Sequence, residues 1–210
     1  MADEKHSLVN ANFNNVPALV AVYPPDPGSR FAEMLPGFSA WASGGQIRLS
    51  QGPGYGMNST GGVYAEMVKD AKFYQISFQR IKFSMLRPDV VIREPIRSLE
   101  FNIDAKIPVG KEILVYIAIE PPKDVMPETP WSTRLVLGRL SGTSEYKSYK
   151  LRGVDVPENT VNTFINFVRD LQLNGMTDTL GSVVLHLHPE QWAGGDEILF
   201  DNVKLDISTR

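Results

Sequence analysis

Few residues in this chain are suited to chemistry, and their spacing narrows what they can do. "HLH" at 186–188 sets His186 and His188 two positions apart, which on a strand points both imidazoles to one side, opposite Val183, Leu185 and Leu187. Such a pair suits two ligands of a transition metal, a polar sheet face, or contact with hydroxyl groups, because imidazole both donates and accepts. A catalytic metal centre on this pattern needs a glutamate further along and another histidine. Glu190 comes too soon, and the remaining histidine is His6. A second feature closes the chain, in "EILFDNVKLDISTR" (197–210). Leu199, Val203, Leu205 and Ile207 share one parity of a half-buried strand, and Asp201 falls on that same inward parity. A carboxylate turned inward is expected to find a cation, a basic side chain or several N–H donors.

Aromatic residues in loops form a third group. Trp131 in "MPETPWSTR" (126–134), Trp192 in "PEQWAGGDE" and Tyr55 in "GPGYG" (52–56) either present a ring to a ligand or staple their loops to the fold. Trp41 follows Phe38 and Ala40 on a short strand and is expected in the core. Rings stack on the apolar C–H faces of sugars, while amides, acids and arginines bond the hydroxyls. On that chemistry the candidate ligand set is Trp131, Trp192, Tyr55, Tyr116, Gln75, Gln79, Arg134, His186 and His188. An ordinary polar exterior would look the same at several of these positions.

Other chemistries find less support. "GRLSG" (138–142) has the wrong spacing for a nucleophilic serine, and "GPGYG" lacks the helix and lysine of a phosphate loop. Glycoside hydrolysis needs two carboxyl groups about 5–10 Å apart, and the spacing of Glu100 and Asp104, or of Glu120 and Asp124, does not place them so. The run 79–97 carries Arg80, Lys82, Arg87, Arg93 and Arg97 against Asp89 and Glu94, which suits either a solvated face or an anionic polysaccharide.

These residues must be carried mainly by strands. "FYQISFQRIKF" (73–83) alternates Tyr74, Ile76 and Phe78 with Gln75, Ser77 and Gln79, then switches to Ile81 and Phe83, which predicts a bulge. "SLEFNIDAKI" turns Leu99, Phe101 and Ile103 inward, and "EILVYIAIE" is apolar on both sides except at Tyr116. Further strands are expected at 133–140, 145–152 and 182–189, with shorter ones at 8–14, 38–42, 46–50 and 62–69. "NTVNTFINFVRDLQLNG" differs, with Val161, Phe164, Ile165, Val168 and Leu171 at helical spacing, so one amphipathic helix is expected over about 159–174. The expectation is an all-β domain of two antiparallel sheets, a sandwich or jelly roll, over 1–210, with 1–7 a flexible or expression-derived end.

Composition agrees: 210 residues, 42% hydrophobic and 21% charged, fit one globular domain. A net charge of −3 argues against nucleic acid and anionic membranes as partners. With no cysteine, disulfides, thiolate nucleophiles and cysteine zinc sites are excluded. No apolar run approaches the roughly 18 residues of a membrane helix, and "MADEKHSLVNANF" is no signal peptide. The chain is expected to be either cytosolic or a piece of a larger secreted protein.

Three stretches together resemble the calcium-containing jelly-roll carbohydrate-binding modules of the galactose-binding-like group. "NANFNN" (10–15) is similar to their opening Asn-Gly-x-Phe-Glu element, "STGGVYAEMV" (59–68) loosely to a following strand, and "EILFDNVKL" (197–205) to their closing strand. The resemblance implies a structural calcium between first and last strands, with Asp201 as a ligand and the Asn12 carbonyl as another. Asn14 stands where the family has an acid, which implies weaker binding, and Glu66 and Asp70 are further oxygen donors. It also implies a non-catalytic module, extracellular or periplasmic, that binds a polysaccharide and targets a linked glycan-degrading enzyme. A glycoside hydrolase or polysaccharide lyase on the same scaffold is the alternative.

Overall fold

The computed structural model describes residues 4–14, 17–23, 32–35, 38–82, 96–120, 134–152, 180–187 and 191–209. Among these residues thirteen strands form two antiparallel sheets packed as a jelly-roll sandwich. Sheet A joins β1 (Glu4–Ala11), β2 (Leu19–Tyr23), β5 (Gln46–Pro53), β6 (Gly61–Lys69), β8 (Ile96–Lys106), β11 (Tyr146–Arg152) and β13 (Glu197–Thr209). Its order is β11-β8-β13-β6-β5-β2, with β1 also paired to β13. Sheet B joins β3 (Ala32–Leu35), β4 (Phe38–Ala42), β7 (Tyr74–Lys82), β9 (Glu112–Glu120), β10 (Arg134–Ser141) and β12 (Leu180–Leu187) in the order β10-β9-β12-β7-β4-β3. The amphipathic segment 159–174 lies outside the described residues.

The core is made by alternate residues of both sheets, as period-2 patterning requires. From sheet A come Ile47, Leu49, Val63, Ala65, Met67, Phe101, Ile103, Ile198 and Phe200; from sheet B come Phe38, Ile76, Phe78, Val115, Ile117, Val183 and Leu185. At its centre Phe78 meets Phe200 edge-on at 5.3 Å, and Phe13 meets Phe38 at 5.6 Å. These geometries let the positive ring edge of one face the negative π-face of the other.

The parity switch in β7 is present. Phe78 pairs with Val183 while Ile81 pairs with Gly181, so three steps on β7 oppose two on β12. A second bulge corrects the alternation expected for the closing strand. Asp201 pairs with Asp104 but Lys204 with Asn102, and Asn202 takes the left-handed conformation (φ 50°) that absorbs the extra residue. The inward residues are therefore Ile198 and Phe200 before the bulge and Val203 and Leu205 after it, while Leu199 is half-buried. The amino-terminal expectation also changes. Residues 4–7, expected to be flexible, pair with 206–209 because β13 extends that far and offers its edge.

Candidate functional site

The face of sheet B that points away from the core gathers three of the expected ligand residues. Successive pairings run Trp41, Gln75, His186, Leu114, Arg139 across β4, β7, β12, β9 and β10. The neighbouring row runs Ser39, Ser77, Val184, Tyr116, Val136. Antiparallel pairing sets such neighbours about 5 Å apart across the sheet. The Gln75 amide donates to the Tyr116 hydroxyl at 2.8 Å and meets His186 Nδ1 at 3.0 Å. An amide N–H can only donate, so Nδ1 accepts and the imidazole carries its proton on Nε2. Phe73 and Tyr116 flank that imidazole, with ring centres 5.5 and 6.2 Å away. Although they face away from the core, Gln75 and Tyr116 are only 7% and 2% exposed. Neutral donors, an imidazole and aromatic rings sheltered from water suit a neutral polar ligand better than an ion.

The remaining expected residues distribute differently. Gln79 lies in the irregular step of β7, and Arg134 opens β10 opposite Ala118. Trp131 and His188 lie outside the described residues. Tyr55 belongs to the opposite face of the sandwich, where it stacks on Tyr64 of sheet A at 5.6 Å and its carbonyl accepts the Tyr146 hydroxyl. Trp192 is a correction. Its ring belongs to the hydrophobic core rather than to the outward face of sheet B, and its indole N–H bonds the Glu112 carbonyl at 2.8 Å. Lys111 lies over the ring at 5.7 Å and ties Asp196 at 2.7 Å, making 191–196 a staple across one end of the sandwich.

Trp41 pairs with Gln75 in register; the expectation that its ring lies in the core falls on a side chain outside those described. Ser77, on the polar parity between Gln75 and Gln79, shares the outward face with Gln75 and is buried.

At the Asp201 bulge three of the expected metal ligands, Asp201, Asn12 and Asn14, come together; Glu66 and Asp70 do not, Asp70 accepting Gly194 N–H at 2.6 Å instead. The Asp201 carboxylate, fully buried, accepts from Asn202 N–H at 2.7 Å, the Thr60 hydroxyl at 3.2 Å and the Phe13 N–H. Asn12 and Asn14 shape the loop beside it, Asn12 Oδ1 taking Asn14 N–H and Asn14 Oδ1 taking Gly61 N–H. Burial pushes the Asp201 carboxyl above its ordinary range despite these donors, with Asp104 adding to the effect. No basic side chain pairs with it among the described residues. Glu66 is corrected out of this group. Phe200 pairs with Val63, so Glu66 stands about four residues, or ~13 Å, along β6 from the bulge, and it pairs instead with Arg48 at 2.6 Å.

Among the described residues, the Glu100 and Asp104 carboxyl groups weighed for hydrolysis do not converge. Glu100 and Asp104 lie on one strand, again about 13 Å apart, Glu100 held by Lys150 and Asp104 bonded to Ser148 and Asn202. Asp124 lies outside the described residues. Among the described residues, no helix is long and apolar enough to cross a membrane.

No protein-family profile matches the chain, and no curated protein matches its sequence. Solved structures do resemble it. A family 11 carbohydrate-binding module from Clostridium thermocellum, in complex with a β-1,3-1,4-mixed-linked tetrasaccharide, is 12% identical, with 94% of this chain and 95% of that one aligned and a TM-score of 0.47. The CBM22-1 xylan-binding domain from Paenibacillus barcinonensis Xyn10C is 9% identical over 99% and 97% of the two chains, with a TM-score of 0.45. A CBM22-1-CBM22-2 tandem from the same protein gives 9% identity over 98% of this chain and 46% of that one, with a TM-score of 0.49.

Proposed function

We propose that the chain is a non-catalytic carbohydrate-binding module whose sheet B face holds a polysaccharide by ring contact and hydrogen bonding. The observation that carries this reading is the Gln75–Tyr116–His186 cluster, sheltered from water on a face turned away from the core. Its groups are neutral, directional and flanked by rings, which is what sugar hydroxyls and C–H faces require. In this reading the module is extracellular or periplasmic and brings a linked glycan-degrading enzyme to its substrate. A structural calcium at the Asp201 bulge belongs to the same proposal. The buried carboxylate without a basic partner supports it, with Thr60 and the loop of Asn12 and Asn14 as neighbouring oxygen donors.

Affinity electrophoresis through gels containing soluble polysaccharides tests the binding, with mixed-linked glucan and xylan first in the panel. Retardation by at least one glycan, with no reducing ends or unsaturated products released, is the expected result. Release of products instead supports the hydrolase or lyase alternative, and free migration through every gel refutes both.

A further inference from the structure

Ser77 stands two residues beyond Gln75 on β7, on the same side of the strand and about 7 Å away. In register it lies between Ser39 of β4 and Val184 of β12, and Val184 in turn pairs with Tyr116. The residue is 6% exposed, and its hydroxyl Oγ has no hydrogen-bond partner. A buried hydroxyl left without a partner costs free energy that an alanine at the same position would avoid. Val184, its partner across the sheet on β12, is buried and apolar and offers the hydroxyl no bond. The adjacent cluster does not use the hydroxyl either, since both Gln75 N–H bonds go to Tyr116 and His186. Toward a ligand, Gln75 therefore offers an acceptor, Oε1, and Ser77 offers a hydroxyl able both to donate and to accept.

We propose that Ser77 is a sugar-contact residue that exchanges a hydrogen bond with a hydroxyl of the bound glycan, alongside the acceptor of Gln75. The inference rests on the reading of sheet B as the glycan-binding face. It separates this position from its neighbours, because a contact residue and a packing residue respond oppositely when the hydroxyl is removed. In a packing role, loss of a bonded group lowers stability and leaves affinity alone. In a contact role, loss of an orphaned group leaves stability unchanged or raised and lowers affinity.

Ser77→Ala and Ser77→Thr in the full chain, compared by melting temperature and by retardation in the glycan that best retains the wild type, decide the matter. The expected result is a Ser77→Ala melting temperature at or above that of wild type, with affinity down about five- to tenfold, and a smaller loss in Ser77→Thr, which keeps the hydroxyl. Equal retardation of Ser77→Ala and wild type overturns the inference alone, as does a lowered melting temperature with unchanged affinity. A wild type retarded by no glycan overturns the binding reading and this inference with it.

Discussion

The two outward faces of the sandwich use their polar groups in different ways. On sheet A they pair off locally and in reach of water: Arg48 with Glu66, Lys150 with Glu100, Asn202 and Ser148 with Asp104. The Tyr64 hydroxyl is engaged there too, bonded to Glu197, and burial and that carboxylate both push its pKa up. On sheet B a sheltered amide serves a phenol and an imidazole together, while a serine hydroxyl beside it serves nothing. Exposed ion pairs contribute little to stability and are screened by salt. Sheltered neutral groups are costly when unmatched and discriminating when matched. Sheet B also carries an exposed pair, Arg139 with Glu112 at 3.4 Å, but under the proposed reading its sheltered neutral cluster is where a ligand is to be sought.

Variants that break or sharpen this contrast differ in size of effect. Trp192→Ala should be the most damaging, by about 3–5 kcal/mol in urea denaturation, because it opens a cavity and orphans the Glu112 carbonyl. A loss under about 1 kcal/mol would return that ring to the surface and undo its separation from both faces. Gln75→Ala is expected to weaken glycan retardation by tenfold or more, equivalent to about 1.4 kcal/mol, since it also removes the bonds from Gln75 that orient Tyr116 and His186. Retardation within twofold of wild type would remove sheet B's claim.

Asp201 sharpens the contrast from the side of sheet A. A carboxyl raised above its ordinary 3.8 contributes stability that is complete below that value and is lost as pH rises through the folded pKa. In EDTA the wild type should therefore lose ground to Asp201→Asn on going from acid to neutral pH. Calcium, which binds the ionised form, should offset that loss more at pH 7 than at pH 4. Melting temperatures that are the same with calcium and with EDTA at both pH values would contradict the metal. Arg48→Ala should do least, changing stability by under about 1 kcal/mol and leaving retardation unchanged.

Much of the fold is legible because period-2 alternation survives wherever one strand face is core. β7 shows this down to its bulge, where Ile81 and Phe83 change parity in the sequence itself. The closing strand misleads for the same reason. Leu199 is apolar and in phase with Asp201, so the alternation looks continuous, and only the left-handed Asn202 marks the break. The candidate site was half legible. Gln75, Tyr116 and His186 carry their chemistry in their side chains, but their convergence depends on strand order, which places β12 between β7 and β9. Trp192 misleads because a loop position says little about burial, and its ring is held in the core by Lys111 and Glu112. Ser77 gives no sign in the sequence that it lacks a partner; that requires the neighbours across the sheet.

The most direct measurement is a titration of the isotope-labelled chain with an oligosaccharide of the retaining glycan, followed by NMR. The Gln75 side-chain amide and the His186 ring should shift and saturate together, while the Arg48 guanidinium and the backbone amides around Tyr64 stay in place. Saturating shifts at Arg48 and Tyr64, with Gln75 and His186 unmoved, would put the ligand on sheet A and contradict the account.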